Sequence, residues 1–230
     1  MQPNRRIVWQ VGGLLGVFIG AIVVANLAQP GLASSHLISR QVSWRDIFNF
    51  LRRPRQDKGG KGALCLLVPS DEKEPAVMWH DRPLFIWQGL EQTIGVRRAG
   101  SETVFWRRSL TQPGSTVNQI QFVGIALQPG QTYELLLFSS PMANQPVRWQ
   151  PFVVMPSPNR ATVTTDLQAL TTKLRNEGAN DEAIAQQRAQ YFVDRQLEAD
   201  AIQEVYSVSN PSAALRQLAT DIPKRLCSSP

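Results

Sequence analysis

Apolar residues are arranged along the chain in three ways: one uninterrupted run, then short alternating runs, then a helical period. The run extends from Ile7 to Ala28, holds no charged residue, and has only Gln10 and Asn26 as strongly polar members. As a helix rising 1.5 Å per residue, about 22 residues span roughly 33 Å, the thickness of a bilayer's hydrocarbon. Residues 1–33 are therefore expected to form a basic cytoplasmic tip and a single transmembrane helix, with the body beyond the membrane. A cleaved signal peptide is the rival, because Gly31-Leu32-Ala33 before Ser34 would suit a peptidase. Against cleavage, the run exceeds a usual signal core and has no polar region after it.

Residues 34–62 carry a second pattern. Trp44, Ile47, Phe48 and Leu51 recur at i, i+3, i+4 and i+7, which predicts an amphipathic helix from Ser43 to Arg53, with Ser43 at the N-cap and Pro54 as the stop. Trp44 and Phe48 beside Arg52, Arg53 and Arg55 suit a membrane surface. Docking against the body is the other use of the same stripe. Gln56–Gly62 reads as a linker.

From 63 to 156 the pattern becomes short extended runs between turn residues: Ala63–Val68, Ala76–Trp79, Leu84–Gln88, Thr93–Arg98, Thr103–Leu110, Gln119–Leu127, Thr132–Ser139 and Val147–Met155. With no helical period among them, these predict an antiparallel β-sandwich. Leu127-Gln-Pro129-Gly130-Gln-Thr-Tyr133 suits a type II turn followed by a strand. It resembles the tyrosine corner of fibronectin type III and immunoglobulin-like domains, and Trp87 resembles their buried tryptophan.

Residues 157–230 read as a helical segment. Val163, Leu167, Leu170 and Leu174 precede Gly178 as a C-cap, and Asn180-Asp181 opens a second helix with Ile184, Ala185, Ala189 and Phe192. A third carries Leu197, Ala201, Ile202 and Val205, and a fourth carries Leu215 and Leu218, with Pro223 expected to close it. The second and third loosely resemble one tetratricopeptide unit. One unit cannot bury its own face, so a helical cap on the sandwich is the plainer expectation.

Charge adds location rather than chemistry. Lys and Arg number 24 against 18 Asp and Glu, a net charge of +6. Much of the excess lies between Arg40 and Lys61, beside the apolar run, where anionic lipid explains it better than nucleic acid. The only two cysteines, Cys65 and Cys227, bracket the body. They read as a disulfide in an oxidising compartment, with two unrelated thiols as the alternative.

Candidate chemistry is sparse. The two histidines are His36 and His80. No G-x-S-x-G motif occurs, and His80-Asp81 at a strand end reads as a surface turn. Gly59-Gly60-Lys61-Gly62 lacks the phosphate-loop spacing, and Asp71-Glu72-Lys73-Glu74 reads as a solvated loop. No catalytic residue, cofactor site or metal site is expected. Of Trp79, Trp87, Trp106 and Trp149, the one beside Arg107-Arg108 is the least core-like. Exposed, such rings could stack sugars; in strands they usually pack.

Taken together, Trp44–Phe48, Cys65, Asp81–Gln88, Leu127–Glu134, Gln187–Phe192, Glu204–Pro211 and Cys227 resemble an uncharacterised cyanobacterial family of membrane-anchored proteins. The resemblance implies location and architecture, and no activity. The expected function is a noncatalytic, membrane-anchored interaction or scaffold protein outside the cytoplasm, meeting a protein partner through sandwich or helices. A periplasmic glycan-binding module is the alternative, and an enzyme the weaker one.

Overall fold

A computed structural model describes residues 43–50, 64–70, 74–110 and 117–227. The apolar run, His36, the linker, Arg52, Arg53, Arg55, Gly59–Gly62 and Asp71–Lys73 lie outside them. The described residues form a mixed β and α structure of two sheets and C-terminal helices. Among them no helix is long and apolar enough to cross a membrane.

The strands are β1 (Cys65–Val68), β2 (Ala76–Met78), β3 (Leu84–Gln88), β4 (Thr93–Arg98), β5 (Val104–Ser109), β6 (Asn118–Gln121), β7 (Thr132–Phe138) and β8 (Arg148–Val154). One sheet has the order β1-β3-β6, the other β2-β8-β7-β4-β5. The expectation of a wholly antiparallel sandwich needs correction, because β2 runs parallel to β8, with Ala76 opposite Phe152. Alternation on β3 turns Phe85 toward the second sheet, where its ring lies 5.8 Å from Phe152 and 6.1 Å from Trp106. The strand expected over Gln119–Leu127 ends at Gln121.

The pairings define two ends of the sandwich. Cys65, Gln88, Thr93, Asn118 and Arg148 lie at one end. Met78, Leu84, Arg98, Tyr133 and Val154 lie at the other.

At the turn before β7, Gln131 N–H donates to the Gln128 carbonyl at 3.2 Å, and Gly130 takes φ +77°. Pro129 and Gly130 thus fill the central positions of a type II turn. The Tyr133 hydroxyl accepts from Gln128 N–H at 2.9 Å, and its ring is buried 5.8 Å from Phe152. Tyr133→Phe should therefore cost about 0.5–1.5 kcal/mol in chemical denaturation, the net value of one hydrogen bond. Tyr133→Ala should cost about 3–5 kcal/mol through the cavity it leaves. Equal, negligible losses would contradict this packing. Trp87 is fully buried, its indole N–H donating to the Glu91 carbonyl at 2.8 Å.

The tryptophans differ from expectation at two positions. Trp106 is buried, donating to the Val123 carbonyl at 2.9 Å, and Trp149 is the exposed one. Alternation on β8 puts Phe152 and Val154 inside, so Trp149 falls on the outer face opposite Leu136. On the same face, Arg107 lies 3.8 Å above the Phe138 ring.

The helices are α1 (Trp44–Phe50), α2 (Ser157–Asn176), α3 (Asp181–Val193), α4 (Glu198–Ser207) and α5 (Ala213–Leu226). Gly178 at φ +80° closes α2, with Gly178 N–H on Arg175 and Ala179 N–H on Leu174, the paired bonds of a Schellman motif. Asn180 caps α3, accepting from Ala183 N–H at 2.8 Å. Helix α4 packs on both β1 and β2, each an edge strand of a different sheet. It covers the side of the sandwich where both sheets would otherwise end in unpaired strands.

Pro223 does not close α5; it sits inside it. A proline at this position deprives the Ala219 carbonyl of its helical donor. The Tyr206 hydroxyl replaces that donor at 2.8 Å. Cys227 follows α5 and is bonded to Cys65 at the start of β1, with Cα atoms 5.8 Å apart.

Trp44, expected on a membrane surface, is buried instead, as is Ile47, because α1 packs on α3 and α5. The Trp44 indole donates to Glu182 at 3.2 Å, and Ser212 donates to the same carboxylate through N–H and hydroxyl, both at 2.7 Å. Burial raises the Glu182 pKa. The hydrogen bonds from Ser212 and Trp44, with Arg216 nearby, outweigh burial and hold it below its ordinary 4.5. A depressed carboxyl stabilises above its unfolded value and loses that contribution as pH falls through the folded one. The α1 contact should therefore loosen below pH 4.5, seen as loss of the Trp44 indole N–H signal by NMR. Glu182→Gln should remove that pH dependence.

Candidate functional site

Between β2 and β3, Trp79 to Pro83 leaves the ladder, and its backbone must find partners elsewhere. Three helices provide them. From α2, Arg160 donates to the Trp79 carbonyl at 3.0 Å and pairs with Asp81 at 2.8 Å, while Thr164 accepts from the Trp79 indole at 3.1 Å. From α3, the Phe192 ring lies 5.8 Å from Trp79 and the Arg188 guanidinium 5.7 Å from the same indole. From α4, the fully buried Asp200 accepts from Trp79 N–H at 2.9 Å and from His80 N–H at 3.2 Å.

Asp200 also lies 2.6 Å from His80 Nδ1. Assigned from these partners, the His80 proton sits on Nδ1, where it gives the buried carboxylate a third donor. Nε2 is then left as an acceptor. His80-Asp81 is thus no surface turn. It is the point where the sandwich is fastened to its helices. Arg188 meets Glu204 through Nε and Nη2 at 2.9 and 2.7 Å, and the Gln203 side-chain carbonyl accepts from Leu84 N–H at 2.6 Å.

Beside this junction is a cleft of about 490 Å³ lined by His80, Arg82, Gln119, Gln121, Gln203 and Tyr206, among others. Its hydroxyl groups are occupied. Tyr206 donates to the Ala219 carbonyl, and burial pushes its phenol well above the usual value. Ser207 donates to the Glu204 carbonyl at 3.0 Å, and Glu204 is paired with Arg188. Gln121 donates to the Arg82 carbonyl at 2.7 Å. What remains for an occupant is hydrogen bonding from His80, Arg82 and Gln119 rather than an activated nucleophile.

Of the residues singled out in sequence, the structure joins Cys65 to Cys227 and brings Pro129, Gly130 and Tyr133 into one turn. Trp87 lies in the core, and Trp44 lies under α3 and α5. The Phe48 side chain is outside the described residues. Sequence reasoning missed Arg160, Thr164, Arg188, Asp200 and Gln203. Among the described residues, no three His, Cys, Asp or Glu side chains converge on a possible metal position. Compared with protein-family models, with curated proteins and with solved structures, the chain matches none.

Proposed function

We propose that this is a noncatalytic interaction protein, anchored by Ile7–Ala28 with its body outside the cytoplasm, that takes a polar segment of a protein partner in the His80 cleft. The observation that carries this is the immobilised His80. Asp200 fixes its ring beside a cleft whose hydroxyls are already bonded and whose remaining groups suit peptide amides. The exposed Trp149 stands alone among the described tryptophans, so it favours no strip for stacking glycans.

The same proposal includes an immunoglobulin- or fibronectin-like identity for the sandwich. The strand order β1-β3-β6 facing β2-β8-β7-β4-β5, with a tyrosine bonded back at the start of β7, supports it. Besides each other, α3 packs on α1 and α2 while α4 packs on α5 and the edge strands β1 and β2, which supports a cap on the sandwich over a tetratricopeptide array.

The test is site-specific photocrosslinking in native membranes, with the crosslinker at Gln119 and a control at Lys173 on α2. A discrete adduct from Gln119 that competes with purified partner, and that weakens about 2–12-fold in His80→Ala, is expected for one lost hydrogen bond. Identical adduct patterns from both positions, or no change in His80→Ala, would overturn the cleft as the contact.

A further inference from the structure

We propose that the chain binds a small, free α-amino acid with an apolar side chain in a second cleft, which shares Glu204 and Ser207 with the His80 cleft. This cleft of about 230 Å³ lies between α2, α3 and the C-terminal end of α4. Thr171, Arg175, Asp181, Ile184, Arg188 and Ser207 are among the residues that line it. The site goes beyond the partner contact at His80 and does not depend on it.

A threonine inside a helix can turn its hydroxyl back to the carbonyl four residues earlier. Thr162, Thr164 and Thr220 do so, at 3.3, 2.7 and 2.9 Å. Thr171 on α2 does not. Its hydroxyl is buried and has no hydrogen-bond partner among the described residues. A buried hydroxyl in that condition calls for an explanation, and a ligand acceptor in the cleft it lines supplies one.

Two opposite charges line the same cleft without meeting. Arg175 lies in the last turn of α2, and Asp181 opens α3. The Schellman bonds at Gly178 and the Asn180 cap fix the turn between them. Neither side chain has a hydrogen-bond or ion-pair partner among the described residues, whereas Arg188 and Glu204 neutralise one another at 2.7 Å. The last turn of α4 adds to the negative side. It holds no basic residue, and its final carbonyls lack intrahelical donors.

A carboxylate accepts from Arg175 and from the Thr171 hydroxyl, while an ammonium donates to Asp181 and to the α4 carbonyls. A free amino acid carries both charges on neighbouring atoms; the terminal residue of a peptide keeps only one of them. At about 30 Å³ per water, the cleft matches roughly eight non-hydrogen atoms, the size of valine. Ile184, Ala185 and Val208 give its side chain an apolar wall.

Methyl NMR of the full-length, methyl-labelled chain in detergent micelles, titrated with L-valine, tests this. Saturable shifts at the Thr171, Ile184 and Val208 methyls are expected, with half-saturation at or below about 1 mM for a ligand of this size. Isovalerate lacks the ammonium and isobutylamine lacks the carboxylate. Each should bind at least about tenfold more weakly, the factor for one charged hydrogen bond. Arg175→Gln should weaken valine by the same factor and leave isobutylamine unchanged, while Asp181→Asn should weaken valine and leave isovalerate unchanged. Thr171→Val should weaken valine without destabilising the chain, since its hydroxyl has no partner to lose. No saturable shift up to about 10 mM, equal binding of all three compounds, or shifts at Leu84 in the His80 cleft instead would overturn the site. The partner adduct at Gln119 is read separately, so either contact can fail without the other.

Discussion

Replacing Cys65 and Cys227 together with serine should lower the unfolding free energy of the solubilised chain by about 3–5 kcal/mol. The bond closes a loop of 162 residues between the first strand and the end of the last helix. Cross-linking so long a loop removes much of the unfolded chain's freedom, on the chain-entropy argument. The two cysteines also join the edge strand β1 to α5, so the native state loses an attachment as well. Denaturation with and without reductant measures this. The reduced wild type should behave like the double serine chain, and an oxidised wild type no more stable than either would contradict it.

Asp200→Ala should be comparably damaging, at about 3–5 kcal/mol, because each buried donor left unsatisfied costs about 1–3 kcal/mol. Three donors lose their acceptor at once: Trp79 N–H, His80 N–H and His80 Nδ1. The first two are backbone groups in a segment without ladder partners, so nothing nearby replaces the lost bonds. Asp200→Asn keeps the shape and one acceptor oxygen, and should cost less, about 1–3 kcal/mol. A loss below 1 kcal/mol for the alanine change would mean that Asp200 does not hold the seam.

Most strands were legible because turn residues flank them and their alternation is clear. Leu84–Gln88 and Thr93–Arg98 appear in the structure with the bounds read from sequence. The direction of β2 was not legible, because it depends on which sheet the chain joins after β1, a choice no local pattern records. Pro223 obeys its local rule only in isolation; a hydroxyl from another helix answers the carbonyl that proline leaves bare. Trp106 was misjudged from its neighbours. Arg107 points outward to cover Phe138, while Trp106, on the opposite face, enters the core.

The candidate site was less legible than the fold. His80 was visible, but its partner lies 120 residues away on a helix that the sequence shows only by its apolar stripe, not by Asp200. Asp200, Gln203 and Glu204 recur at i, i+3 and i+4, which looks like an ordinary solvated face. In the structure that face is buried too, with every residue from Ala199 to Val205 covered. Burial on both sides of one helix is a tertiary fact, and periodicity cannot report it.

The placement of α4 over both edge strands has a consequence for biogenesis. Strands β1 and β2 precede their cover by more than a hundred residues: Trp79 waits for Asp200, Trp44 for Glu182, and Cys65 for Cys227. Until α4 has left the ribosome, the nascent sandwich presents two unprotected strand borders. A chain exported as it is made would thus cross the bilayer before its native form becomes attainable. Truncation before α4 would then yield a sticky, unfinished sandwich rather than a smaller working one.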